Sequence, residues 1–415
     1  MKKLTLIAAS LVLLCVLASA ATRSKKNEIS RNLDIFNALY KELQTFYVDS
    51  IDAEKSINTA IAAMLDDIDP YTEYFSAKDQ DAFRTMTTGE YGGIGSVIQQ
   101  NDEGVIIAEP YEGSPAQKAG LLPGDLFLTI DGDSVLGWTS ARVSDKLKGQ
   151  SGSTLKLVMK RPWTADSIKT FEFKRAKIQI PPVPYVGMVR PGVGYIGLNT
   201  FSEKSFPEVR AGVEKLIKEG AKGLILDLRG NGGGLVESAV EILGLFLPKG
   251  TAVLTTRGKG VLNEKVYKTS INPIDTKIPL AVLVDGNSAS ASEIVSGALQ
   301  DLDRAVIIGN RSYGKGLVQS TRELPYDGLL KVTVAKYYIP SGRLIQAIDY
   351  SRRNPDGSVA RIPDSLTSVF KTAGGREVRD GGGITPDIKI EYPEVNRLTF
   401  NVVRDNWAFN FANKY

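Results

Sequence analysis

Ser290 and Lys315 are the side chains of this 415-residue chain whose types and surroundings fit a chemical step. Ser290 lies in Asn287–Glu293, N-S-A-S-A-S-E, behind the apolar run Pro279–Asp285 (P-L-A-V-L-V-D) and ahead of a helical pattern over Ala291–Leu299. The run reads as a buried strand, so the serine is expected at a strand-turn-helix junction. Such a bend exposes one side chain and aims the unpaired N–H groups of a helix start at any anion formed there. The same serine also begins S-x-x-E with Glu293, the signature of a capping box, and most serines in that signature only hold a helix end.

Lys315 shifts the balance toward chemistry. The chain contains no histidine, which excludes Ser-His-Asp and Cys-His arrangements as well as histidine metal ligands. Lysine is the known substitute base. Its ordinary pKa is ~10.4, so being half neutral at pH 8 costs about 3.3 kcal/mol, which burial in an apolar pocket can supply. Lys315 sits in S-Y-G-K-G, after the apolar run Ala305–Ile308 and before Leu317 and Val318. Glycine on both sides lets the backbone pass close to a partner. If the chain is extended beyond Gly316, a period of two puts Lys315, Leu317 and Gln319 on one face, where Gln319 can orient the amine. A different chemistry competes for the same residues, because Gly309–Lys315 reads G-N-R-S-Y-G-K, most of a phosphate-binding loop. Position 316 is glycine where such a loop needs Ser or Thr, and the following L-V-Q-S-T-R-E-L-P reads as strand rather than helix. The nucleotide reading therefore fails its context.

N-S-A-S-A-S-E-I followed by S-Y-G-K-G-L-V-Q resembles the catalytic signature of the carboxyl-terminal processing proteases, also called tail-specific proteases, and the resemblance runs from roughly Asp69 to Asp387. It implies a serine endopeptidase that selects substrates by their C-terminal tails, with Ser290 as nucleophile, Lys315 as general base and Gln319 as third member. It also assigns the loop R-G-N-G-G-G, Arg229–Gly234, to the oxyanion hole, where a backbone N–H of Gly232 or Gly233 would pair with that of Ala291. Read alone, that loop follows a strand and opens a helix as a dinucleotide fingerprint does, but it lacks the third glycine. The family usually carries a histidine and a serine after a D-P pair. Here Asp69-Pro70 is followed by Tyr71 and Thr72, a departure expected to touch no catalytic assignment. A second run, Gly113–Gly132 (G-S-P-A-Q-K-A-G-L-L-P-G-D-L-F-L-T-I-D-G), resembles a PDZ domain. Tyr91-Gly92-Gly93-Ile94-Gly95 would be its carboxylate loop, and the strand from Ser96 would offer an edge to an incoming peptide. The plain alternative for those glycines is a tight turn with no ligand.

The elements that must position these motifs read as an α/β (α+β) multidomain chain. Residues 1–21 resemble a secretory signal, with Lys2 and Lys3, an apolar core over Leu4–Leu17 and the cleavage pattern Ala18-Ser19-Ala20; retained, the segment would be a membrane anchor. The chain is thus expected to be exported, periplasmic or in the cell envelope, and its only cysteine, Cys15, lies inside that segment. Residues 27–88 form an N-terminal helical region, two helices around a turn at Asp49–Asp52, which packs on a neighbour or on a second copy in a homo-oligomer. Residues 89–175 form the PDZ domain. A stiff linker (Pro181, Pro182, Pro184) enters the peptidase core, residues 176–390, where strands and helices alternate from Gly194 to Thr256 as in a sheet flanked by helices. Tyr350–Asp364 reads as a mobile surface loop, and residues 391–415 as a C-terminal segment.

The formal charge of +4 gives no basis for nucleic-acid binding, and no cofactor or metal is called for. The expected partners are protein or peptide substrates with free C-termini. The competing function from another class is an inactive PDZ scaffold on a protease fold.

Overall fold

The computed structural model describes residues 27–79, 88–260, 264–354, 359–391 and 395–414. The signal segment lies outside them. By its contacts the chain divides into two compact units, Met1–Asp67 and Ile68–Tyr415.

The described part of the first unit is a helical pair, residues 27–46 and Ala53–Asp66. Asp52 caps the second helix by accepting from the Lys55 N–H at 3.0 Å, and the Tyr40 hydroxyl reaches the Ala53 carbonyl at 3.2 Å and Ser56 Oγ at 3.1 Å. Ile29, Leu33, Phe36, Leu39 and Leu43 leave an apolar stripe exposed along the first helix.

In the second unit, the peptidase core is built on a six-stranded sheet in the order Tyr185–Arg190, Val193–Gly197, Gly223–Asp227, Leu280–Val284, Val306–Gly309 and Ile388–Lys389. The first pair is antiparallel and every other pairing is parallel, the pattern that alternating strands and helices produce. Leu224, Leu226, Val282, Val284 and Ile307 point from the sheet into one core with Val213 and Leu216, Ile242 and Leu243, and Ile294, Val295 and Leu299 of three helices. Burying each such side chain contributes roughly 1.5–3 kcal/mol. The helix Ala291–Asp301 is buried at every residue. Its polar members are therefore bonded: Ser292 Oγ donates to the Asn231 carbonyl at 2.8 Å, Gln300 Nε2 to the Thr385 carbonyl at 2.9 Å, and Asp301 accepts Arg343 at 2.8 Å.

A second, wholly antiparallel sheet carries the strands Glu73–Phe75, Ala252–Gly258, Glu264–Lys268, Leu317–Leu324 and the long Gly328–Tyr338 to which three of them pair. Ala252–Gly258 thus leaves the alternating series, although its place in the sequence suggested the next strand of the first sheet. The residues after Asp67 likewise part from the N-terminal helices, because Glu73–Phe75 pairs with Leu329–Lys331. The described ends of the segment read as a mobile loop form a ribbon, Ile348–Arg353 against Val359–Arg361.

The small domain has a separate core of Ile107, Phe127, Ile130, Leu155, Leu157 and Met159 with Val143 and Leu147 of the helix Ser140–Leu147. Its sheet runs Ser96–Gln100, Val105–Pro110, Leu126–Ile130, Thr154–Lys160, Ile168–Lys174, so Ser96–Gln100 is an open edge beside that helix. Glu90–Gly93 is a strand paired with Ala176–Gln179, not part of a loop as the sequence suggested for Gly92 and Gly93. A Cβ on Gly92 would lie 2.0 Å from the Gly149 carbonyl oxygen, so close backbone packing demands glycine there. The bend itself is Ile94-Gly95, whose carbonyls accept from Ala116 and Tyr111 at 2.9 Å each. The last helix, Trp407–Lys414, meets this domain at Trp163, with Lys414 Nζ 5.1 Å from the ring centroid.

Candidate active site

Three adjacent parallel strands end at one place, and the loop after each supplies part of a cavity of about 400 Å³. Gly223–Asp227 leads into the glycine loop, Leu280–Val284 into the turn of Ser290, and Val306–Gly309 into the loop of Lys315. This is the crevice outside the carboxyl ends of the strands where open α/β sheets place their sites. Gly232, Gly233, Ser290, Lys315, Gln319 and Tyr337 all line it. No helix follows Lys315, since Leu317–Leu324 is a strand, and the phosphate-loop reading falls on that ground.

The backbone of Ser290 separates it from the four residues whose side chains cap other helices. Asp52, Ser114, Thr139 and Asn396 begin their helices in extended conformation, with φ between −64° and −73°. Ser290 has φ 56° and ψ −113°. A non-glycine residue held in that region stores strain, and such strain gathers at functional sites. Glu293 is more than a cap. Its Oε2 accepts the N–H groups of Ser290 at 2.9 Å and Lys315 at 2.8 Å, and its Oε1 accepts Ser312 Oγ at 2.5 Å and the Gly314 N–H at 2.7 Å. Burial pushes its carboxyl up to about 7 against the pull of those four donors. The Tyr337 hydroxyl, fully buried, reaches the carbonyls of both Lys315 and Ser290, the latter at 3.2 Å.

The Lys315 amine is lowered to about 8, first by burial and then by the charge of Lys331. Among the described residues its Nζ makes no hydrogen bond; it stands 4.2 Å from the centroid of the Tyr71 ring. Tyr71 therefore touches the lysine, contrary to the expectation that the departure after D-P leaves the catalytic assignments alone. Gln319 lines the same cavity, but its Nε2 donates to Thr333 Oγ1 at 3.1 Å. The pairing shifts at this point because the partner strand carries an extra residue, Val334, between Thr333 and Ala335, so the period of two along Leu317–Gln319 is kept and Lys315, Leu317 and Gln319 line one cavity.

Of the two oxyanion glycines left open, Gly233 has its N–H committed to Asn231 Oδ1 at 2.8 Å, whereas Gly232 is exposed to the cavity. Gly233 is instead the close-approach residue: a Cβ there would lie 2.8 Å from Ser290 Cβ and 3.0 Å from the Ala291 nitrogen. Asn231, fully buried, ties this loop to the nucleophile turn, its carbonyl accepting the Ala289 N–H at 3.0 Å and its Nδ2 donating to the Leu198 carbonyl at 2.7 Å. Asn231, Tyr71 and Tyr337 were missed in the sequence. The single asparagine among glycines was the available signal for the first and the altered D-P motif for the second; Tyr337 carried none beyond an aromatic in a strand.

A parallel sheet with a buried core, a strained serine sharing one cavity with a half-buried lysine, and a separate small β-domain with an open edge fit a serine peptidase carrying a second, smaller domain. The profile of Peptidase family S41 matches residues 192–359 and that of the PDZ domain residues 106–161. A carboxy-terminal-processing protease from Bartonella bacilliformis is 34% identical over 371 residues, covering 88% of this chain and 84% of the relative. A probable CtpA-like serine protease from Staphylococcus haemolyticus is 32% identical over 94% of this chain and 76% of its own, and a chloroplastic C-terminal processing peptidase from Tetradesmus obliquus is 34% identical over 76% and 70%. The chain belongs to the carboxy-terminal-processing serine proteases of family S41.

Proposed function

We propose that the protein is a Ser-Lys endopeptidase that receives the C-terminal tail of a protein substrate on its PDZ domain and cuts the chain at Ser290. The Ser290 Oγ–H proton passes to neutral Lys315 as Oγ bonds the scissile carbonyl carbon. The N–H groups of Ala291 and Gly232 face the oxyanion, and the lysine then gives its proton to the leaving amine. Water repeats the sequence on the ester. Gln319, on the wall of the same cavity and anchored to Thr333, is the third member that orients the amine. Ile94 and Gly95, held in place by the strand of Gly92 and Gly93, offer the bend for a terminal carboxylate.

The observation that carries this reading is a serine in strained backbone, at the head of a buried helix, sharing one cavity with a lysine whose pKa lies near 8. The signal-like residues 1–21 support an exported location, and the apolar stripe of the N-terminal helices supports self-association. An unfolded test protein is the substrate that decides. Ser290→Ala and Lys315→Arg should each abolish cleavage, because a guanidinium stays protonated and takes no proton. Substantial turnover by Lys315→Arg would remove lysine from the mechanism.

A further inference from the structure

The stretch Asp69–Thr72, which brings Tyr71 against the Lys315 amine, has been given no part in the reaction so far, yet it is held at both ends. Asp69, buried, accepts the Tyr71 and Thr72 N–H groups on Oδ1 at 2.8 Å each and the Thr72 hydroxyl on Oδ2 at 3.1 Å. That turn fixes the backbone of Tyr71. The far end of the side chain is fixed too: its hydroxyl pairs with that of Tyr350 at 3.1 Å and donates to that of Tyr313 at 3.4 Å, and the Tyr350 ring meets it edge-on at 5.8 Å. Between these two anchors the face of the ring lies under the Lys315 amine.

We propose that Tyr71 is a positioning residue of the reaction, an aromatic platform that holds the Lys315 side chain and stabilises the ammonium formed when Ser290 gives up its proton. The inference rests on the Ser-Lys reading. The charged groups around Lys315 explain why a ring suits this place. Lys331 opposes the ammonium, while Glu73, Asp69 and Glu293 favour it from a distance. Glu73 is bonded to Lys331, Asp69 to its own turn and Glu293 to four other donors, so none of these carboxylates bonds the amine. A carboxylate in contact would keep the lysine charged and end its use as a base. The face of a ring attracts the cation more weakly, enough to favour the ammonium once formed without fixing it.

The test follows cleavage of an unfolded protein against pH in Tyr71→Phe, Tyr71→Leu and Lys315→Ala, with thermal unfolding of each. Tyr71→Phe keeps the ring and should keep the midpoint of the rate profile. Tyr71→Leu keeps an apolar wall but withdraws the attraction for the ammonium, so the amine loses its proton more readily and the midpoint should move down by about half a pH unit or more. Its rate at pH 8 should fall by about ten-fold. If Tyr71→Leu does not fold, ring-fluorinated phenylalanine at the same position has the same shape with a weaker face and should give the same downward shift. A midpoint that stays put, or rises because water enters, overturns the role of Tyr71 while leaving the dyad intact. Full activity in Lys315→Ala overturns the dyad and the platform together.

Discussion

At the scale of single residues, Glu293 joins the two halves of the site. One carboxylate gathers the N–H groups of Ser290 and Lys315 on one oxygen and the Ser312 hydroxyl and the Gly314 N–H on the other. Glu293→Gln turns one of those oxygens into an amino group, so at least one backbone N–H faces a donor instead of an acceptor. An unsatisfied buried group costs about 1–3 kcal/mol, and the cost falls on the backbone of Ser290 and Lys315 or on that of Gly314 beside the lysine. The variant should melt earlier and lose a hundred-fold or so in kcat, which thermal unfolding and steady-state kinetics would show together; wild-type kcat would reduce Glu293 to an ordinary cap. The same two groups set the pH response. On the proposed Ser-Lys mechanism the active form needs Lys315 neutral and Glu293 ionised, so each proton lost as pH rises increases activity. With Lys315 lowered to about 8 and Glu293 raised to about 7, kcat/KM should reach half its plateau near pH 8 and fall with a slope approaching two below pH 7. A profile already flat from pH 6 upward would contradict both assignments.

At the scale of elements, the glycine loop Arg229–Gly234 shows how unlike neighbouring glycines are. Gly234 has φ 143°, and a Cβ there would lie 2.1 Å from the Phe201 carbonyl oxygen, against which the loop is paired. Gly232 has no positive φ, and a Cβ there meets nothing within 4 Å. Gly234→Ala should therefore displace the loop and remove turnover, whereas Gly232→Ala should fold with the parent melting temperature. Equal melting temperature and activity in Gly234→Ala would mean that the loop does not need its pairing to Phe201. In the sequence these glycines were indistinguishable, because the contacts that divide them come from residues far along the chain. What was legible was local: the run Pro279–Asp285 and the helix after it announced the serine turn, and the alternation from Gly194 announced the parallel sheet. The second sheet was not, since the partner of Ala252–Gly258 is Gly328–Tyr338 and no local period encodes that choice. The extra residue Val334 hid in an otherwise regular strand, and Tyr71 sat in a motif whose departure from the family pattern was expected to touch no catalytic assignment.

At the scale of the whole molecule, one short path of chain links the bend of the PDZ domain to the peptidase sheet. Glu90–Gly93, which leads into the Ile94-Gly95 bend, pairs with Ala176–Gln179, and that strand passes through Pro181–Pro184 into Tyr185–Arg190 at the edge of the catalytic sheet. Lys204 strengthens the joint by donating to Gln179 Oε1 at 2.7 Å. Beside the bend, the open edge Ser96–Gln100 and the helix Ser140–Leu147 form the two walls into which an extended tail can add as a strand. If the bend holds the terminal carboxylate, amidating the C-terminus of a long unfolded substrate removes the charge that the N–H groups bind and leaves every scissile bond unchanged. Hydrogen bonds to a charged group contribute about 1.5–3 kcal/mol, so kcat/KM should fall ten-fold or more. The loss should sit in binding rather than in kcat, and a short peptide that reaches Ser290 without the PDZ domain should be cut equally well in both forms. Measuring both substrates with and without the amide separates the two steps. Equal cleavage of the free-acid and amidated long substrates would mean that this PDZ domain does not read tails, and that the peptidase selects its substrates at the cavity of Ser290 alone.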